Sequence, residues 1–238
     1  MRILVTRPEP DCARTANSLR ALGHVADEAP LLVFRELAPE PIDFSGVSSL
    51  AFSSRRAVSV IGRDVRFDAF RALPVFTVGE ATSEACRQAG FSNIRTADGD
   101  VASLGRLILQ HRSAIEGGSV LYPAARDRAG DLEGILSLGG LSCQTVAVYR
   151  MAPVERLSPD IVSALDAAAY DGISIYSRRT AETFVTLLKV HVLEDRLSNM
   201  RIFAISKQAS APFSGVAKVG VAPVPTEKAL FETMLAEC

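Results

Sequence analysis

The sequence predicts an α/β protein of two doubly wound parallel-sheet domains, one inserted in the other and joined by a two-stranded linker. Three observations lead there. Apolar runs of strand length alternate with helix-period stretches throughout the 238 residues. The pattern repeats weakly with an offset of about 120 residues: Leu4-Val5-Thr6 answers Leu121-Tyr122-Pro123, Ser54-Arg55-Arg56 answers Ser177-Arg178-Arg179, and Phe76 answers Phe203. Proline-bearing connectors fall inside each repeat, after its first strand-helix-strand, and not between the repeats. A chain with connectors so placed leaves one domain, builds a second, and returns to finish the first. The expected boundaries are 1–33 with 154–238 for the discontinuous domain, 42–149 for the inserted one, and 34–41 and 150–153 for the linkers. Each sheet is expected to be flavodoxin-like, with strand order 2-1-3-4-5.

Taken in order, Arg2 to Thr6 reads as a strand, Arg7 to Pro10 as its loop, and a helix starts near Asp11 with Ala13, Ala16, Leu19 and Leu22 on one face and Gly23 beyond its end. Val25 to Val33 is a second extended run, and Phe34 to Pro41, with two prolines, reads as linker. Strands at Leu50–Phe52, Pro74–Val78 and Asn93–Thr96 alternate with helices from Arg55, from Glu80 and over Val101–His111. Ser119–Tyr122 is a strand, Pro123 to Arg126 its loop, and a helix with Leu132, Ile135, Leu136 and Leu138 leads through Gly139-Gly140 to the strand Cys143–Tyr149. After the connector Met151 to Pro159 come helix (Ile161–Ala169), strand (Gly172–Tyr176), helix (Arg178–Leu188), strand (Arg201–Ile205), a short helix, strand (Val216–Val221) and a last helix opened by Thr226.

Composition excludes several classes. A net charge of −1, from 26 basic and 27 acidic residues, makes no global field for nucleic acid or an anionic membrane, so charge recognition must be local. Four cysteines and three histidines stand far apart with no CxxC, which argues against a metal site or a disulfide framework. No run approaches the roughly 18 apolar residues of a membrane span, nor a signal-peptide core, and a cytoplasmic location is expected.

In doubly wound sheets ligands collect at the carboxyl ends of the strands. Six such loops are legible: Thr6-Arg7-Pro8, Ser53-Ser54-Arg55-Arg56, Val78-Gly79-Glu80-Ala81-Thr82, Ala124-Ala125-Arg126-Asp127, Tyr176-Ser177-Arg178-Arg179 and Ser206-Lys207-Gln208. Five hold a basic residue and five a Ser or Thr, so a ligand with several negative charges is indicated. Were the two sheets to face each other, the two Ser-Arg-Arg repeats would be opposing jaws of one cleft. There is no GxGxxG after the first strand, no GxxxxGK[ST], no GxSxG and no His-Asp pairing of a triad. The residues leave a hinged binding protein for an anionic metabolite, or a nucleotide-dependent transferase, as alternatives.

Val5-Thr6-Arg7-Pro8, Phe52-Ser53-Ser54 with Ala57-Val58, Val78-Gly79-Glu80-Ala81-Thr82 before Gly90-Phe91, Arg126-Asp127 ahead of a helix ending at Gly139, and Val146-Ala147-Val148-Tyr149-Arg150 resemble the uroporphyrinogen-III synthase family. The resemblance runs through nearly the whole chain. It departs at Ser206 to Ser210, where the family more often has Gly-x-x-Thr-Ala, and at Tyr176 to Arg179, where Thr-Ser-Pro-Ser is common. The resemblance implies a cofactor-free monomeric lyase that takes hydroxymethylbilane, a linear tetrapyrrole with eight carboxylates, loses water and closes the ring with inversion of the last pyrrole through a spiro intermediate. It further implies transient handover from hydroxymethylbilane synthase. Anion-binding roles are expected for Thr6, Arg7, Ser53, Ser54, Gly79, Thr82, Arg126, Ser177, Arg178 and Ser206. Tyr149 matches the family tyrosine that assists departure of the hydroxyl group, since a phenol keeps its proton at neutral pH and can donate it.

Overall fold

In a computed structural model, residues 39–40, 116, 129, 216–217 and 237–238 fall outside the described part of the chain. Along the chain run β1 (Arg2–Val5), α1 (Asp11–Ala21), β2 (Val25–Glu28), β3 (Leu32–Glu36), β4 (Val47–Phe52), α2 (Arg55–Ile61), β5 (Pro74–Thr77), α3 (Glu80–Gln88), β6 (Asn93–Thr96), α4 (Val101–Gln110), β7 (Ser119–Ala125) and α5 (Leu132–Leu138). They are followed by β8 (Ser142–Pro153), α6 (Pro159–Asp166), β9 (Gly172–Ile175), α7 (Arg178–His191), β10 (Arg201–Ala204), α8 (Lys207–Ser210), β11 (Lys218–Val221) and α9 (Glu227–Leu235). The chain divides into two compact units, Met1–Val33 with Ala152–Cys238, and Phe34–Met151.

The first unit carries a five-stranded sheet in the order β11-β10-β9-β1-β2, all pairs parallel. Numbered within the unit this is 2-1-3-4-5. Side chains alternate across it as the pleat demands. Leu4, Ile173, Ile175, Ile202 and Ala204 enter a core with Phe184, Leu187 and Phe213, while Ile3, Val5 and Phe203 face the opposite core with Leu19, Leu230 and Met234. Every one of these is fully or nearly fully buried.

The second unit carries a six-stranded sheet, β3-β8-β7-β4-β5-β6. Numbered as in the repeat, with β7 and β8 as its first two strands and β4, β5 and β6 as the next three, the parallel strands β8-β7-β4-β5-β6 lie in the expected order 2-1-3-4-5, and β3 adds a sixth strand beside β8. Leu50, Phe52, Val75 and Leu121 fill one face with Phe67, and Ala51, Phe76, Val120 and Tyr122 fill the other with Leu104, Ile108 and Leu136. The helix α4 opens on a capping box, with Asp100 accepting from the Ser103 N–H at 2.6 Å and the Ser103 side chain accepting from the Asp100 N–H.

Three local readings change. The run Val25 to Val33 breaks at Pro30 into β2 and β3, since proline has no N–H for the ladder. Residues 34–36, expected to be linker, are strand. β3 lies beside β8, the Leu37 N–H donates to the Val148 carbonyl at 3.0 Å, and Phe34 packs on Tyr149. The loop expected at Pro123 is still β7, which continues beside β8 to Ala125 after its register with β4 has ended at Leu121. Of the strand expected over Val216 to Val221, residues 216–217 are outside the described part and the rest forms β11.

The C-terminal cap of α7 is Val192, left-handed at φ 56° and ψ 47°, and 84% exposed. A β-branched side chain there crowds its own carbonyl, and at this exposure little packing offsets the strain. Val192→Gly should therefore stabilise the first unit by about 1 kcal/mol, read as a higher midpoint in thermal or urea unfolding. A lower midpoint would contradict the strain.

Candidate functional site

At the carboxyl edge of the second sheet, β4 ends in Ser53 and Ser54. The Ser54 side chain accepts from the Arg56 N–H at 3.1 Å and so caps α2, which is the ordinary work of a serine at that position. The Ser53 hydroxyl lies 2.6 Å from the Tyr122 phenol. After β5 the chain turns through Gly79, whose backbone is extended, and a Cβ there would stand in open space. No side chain caps α3, and the N–H groups of Thr82 and Ser83 both turn back to the Gly79 carbonyl. Thr82 is buried, and its neighbour Ser83 links Thr77 and Thr96 by contacts of 2.5 and 2.6 Å.

Arg126 follows β7. Its N–H donates to the Tyr149 carbonyl at 2.8 Å, while its guanidinium is exposed and has no ion-pair partner among the described residues. Tyr149 itself is buried, with its ring 5.4 Å from that of Phe34. Ser53, Ser54, Gly79, Thr82, Arg126 and Tyr149 thus share one sheet edge.

The first unit brings Thr6, Arg7, Ser177, Arg178 and Ser206 to its own carboxyl edge, but several are already engaged. The Thr6 hydroxyl is buried and donates to the Ser174 carbonyl at 2.7 Å. Arg7 binds Glu227 at 2.7 Å and Asp11 at 3.0 Å and lies over the Tyr176 ring at 4.2 Å. Glu227 Oε1 also accepts from Thr15 at 2.5 Å and from Tyr176 at 3.0 Å. Burial, and then the Glu227 charge, push the Tyr176 phenol well above its ordinary pKa. Ser177 caps α7, accepting from the Thr180 N–H at 3.1 Å, and Ser206 caps α8, accepting from the Ala209 N–H at 3.3 Å. Arg178 is exposed and holds Glu182 one turn on at 2.8 Å, a pair of little energetic weight that a ligand can displace.

Two groups were missed by reading the sequence. The Arg7-Thr15-Tyr176-Glu227 cluster joins residues up to 220 positions apart, and no local pattern announces it. Tyr122 reads as an apolar strand residue, and only its register on β7 brings its hydroxyl to Ser53. Glu9, Cys12 and Glu28 place ligand-type atoms within 4.8 Å of one another. The Cys12 thiol is buried, donates to the Val5 carbonyl and is pushed up to about 12 by that burial, which keeps it protonated and a poor metal ligand. Among the described residues no helix is long and apolar enough to cross a membrane.

Two doubly wound units with hydroxyl and guanidinium groups at their strand ends define an α/β protein suited to an anionic ligand. The model of the family uroporphyrinogen-III synthase HemD matches residues 13–232. The chain belongs to the uroporphyrinogen-III synthase family and is a cyclising lyase of tetrapyrrole biosynthesis. Among solved structures it is similar to the uroporphyrinogen-III synthetase of Helicobacter pylori, with a TM-score of 0.64 and 18% identity over 100% of both chains. It is also similar to a mutant uroporphyrinogen III synthase of the extremely thermophilic bacterium Thermus thermophilus, with a TM-score of 0.55 and 15% identity over 100% of this chain and 97% of that one. These likenesses show the shared fold. No curated protein sequence matches the chain.

The two strand-end arginines should separate on substitution. Arg7→Ala leaves Glu227 without its cation and should cost about 1–3 kcal/mol in urea unfolding, whereas Arg126→Ala should leave stability within about 0.5 kcal/mol and raise KM. Equal stability losses would contradict the difference in pairing.

Proposed function

We propose that the enzyme holds the carboxylates of hydroxymethylbilane on its strand-end donors and uses Tyr149 to protonate the departing hydroxyl. The family match over residues 13–232 carries this reading, because the family's substrate is a polycarboxylate. Arg126 and Ser53 offer side-chain donors not consumed by a helix cap or an ion pair, and Gly79 leaves the start of α3 open to close approach. Thr82 and the helix-capping serines Ser54, Ser177 and Ser206 shape the same edges, and Arg178 exchanges Glu182 for a substrate carboxylate. Thr6 and Arg7 act differently from a free donor: Thr6 pins β1 to β9, and Arg7 reaches a ligand only by sharing the guanidinium that Glu227 and Asp11 hold.

In the reaction the Tyr149 O–H gives its proton to the hydroxymethyl oxygen, the C–O bond breaks, and the electron pair leaves with oxygen as water. Electron density from the adjacent pyrrole nitrogen stabilises the resulting cation. The cationic carbon is attacked by the substituted carbon of the last pyrrole, giving the spiro intermediate. That ring opens and recloses inverted, and the proton finally lost from pyrrole carbon restores the phenol. Selection of this closure over the direct one is a matter of positioning, and each 1.4 kcal/mol or so is worth about tenfold. The enzyme works as a cytoplasmic monomer that needs no cofactor, and it takes its substrate by transient handover from hydroxymethylbilane synthase, a short transit that suits a compound that cyclises unaided to the wrong isomer.

Tyr149→Phe keeps the ring against Phe34 and removes only the hydroxyl. It should lower turnover on the order of a hundredfold and leave the product isomer unchanged, measured with freshly made hydroxymethylbilane and separation of isomers after oxidation. Undiminished turnover would remove Tyr149 from the acid role. Gly79→Ala has an extended backbone and free space to accept its methyl group, so it should raise KM several-fold at wild-type stability; an unchanged KM would show that nothing approaches there.

A further inference from the structure

We infer that Tyr122 is a positioning residue for Ser53, donating its phenolic proton to Ser53 Oγ and so turning the Ser53 O–H outward as a donor to a substrate carboxylate. The inference rests on the reading of Ser53 as a substrate-binding group. The two oxygens are 2.6 Å apart, and that distance alone allows either to donate. Burial decides the direction. Tyr122 is 1% exposed, held in a core that includes Phe76, Leu104, Ile108, Leu132 and Leu136, and Ser53 is its only hydrogen-bond partner among the described residues. Were the phenol to accept, its own O–H would be buried without an acceptor, at about 1–3 kcal/mol. Ser53 is only half-buried at the end of β4, so its proton can point to water or to a ligand.

The remaining capacity of Ser53 is then an O–H that is itself polarised by the bond it receives. An ionised carboxylate, which only accepts, is the complement of such a group. Burial also raises the pKa of Tyr122, more than the bond to Ser53 lowers it, so the phenol stays a donor throughout the neutral range. The pairing is built by the sheet: the register Leu50↔Leu121 brings β7 alongside β4 immediately before Tyr122, and Ser53 follows directly on the end of β4.

The test compares wild type, Tyr122→Phe, Ser53→Ala and the double variant by steady-state kinetics on hydroxymethylbilane. Phenylalanine keeps the ring in its core, and thermal midpoints check that it does. Tyr122→Phe is expected to raise KM about threefold to tenfold with kcat and the type III share unchanged, and to add nothing once Ser53 is alanine. Ser53→Thr, which keeps the hydroxyl, should keep the dependence on Tyr122. An unchanged KM in Tyr122→Phe, or the same increase with Ser53 absent, would overturn the inference and leave the role of Ser53 standing. An unchanged KM in Ser53→Ala would instead remove Ser53 from the substrate site, and the inference with it.

Discussion

The first unit depends on one parallel pairing, Ile3↔Gly172, Leu4↔Ile173 and Val5↔Ser174, made between strands that the whole second unit separates in sequence. Closing so long a loop is an entropic cost that grows slowly with its length, and the pairing recovers it by burying both strands almost completely. The buried Thr6 hydroxyl, bound to the Ser174 carbonyl, fastens the carboxyl end of the pair. Glycine at position 172 belongs to the same constraint, because a Cβ there would stand 2.6 Å from the Phe203 ring and 3.0 Å from the Arg201 carbonyl. Everything placed after β1 and β9, the Arg7 loop as well as the α7 cap, inherits its position from this contact.

The second unit solves the same problem with β4 and β7, whose register Leu50↔Leu121 brings together strands on either side of two helix-strand repeats. There the pairing also arranges side chains at the strand ends. It sets Tyr122 against Ser53, and β7 with β8 sets the Arg126 N–H on the Tyr149 carbonyl. An overall charge near zero leaves binding to such local geometry. What distinguishes Arg126 from Arg7 is the company each keeps: the first faces solvent, and the second is held by two carboxylates.

Much of the architecture was legible because it rests on local patterns. Alternation of strand and helix, the two-layer cores, and the serines that open α2, α7 and α8 follow from periodicity and capping chemistry within a few residues of each site. What was not legible depends on strand pairing and register. β3 is a strand because β8 lies beside it, and Pro123 is tolerated because its pairing with β4 has already ended. The site divides along the same line. Gly79 and the serines are legible as strand-end residues, whereas the capture of Arg7 by Glu227 and the partnership of Tyr122 with Ser53 are set by tertiary contacts alone.

In the proposed function, strand-end donors steer ring closure of a reactive polycarboxylate. Supplying the purified protein with freshly made hydroxymethylbilane, oxidising the product and separating the porphyrin isomers measures that steering directly. The expected result is predominantly type III uroporphyrin, formed faster than the unaided reaction forms type I. Type I alone, at the unaided rate, would contradict it.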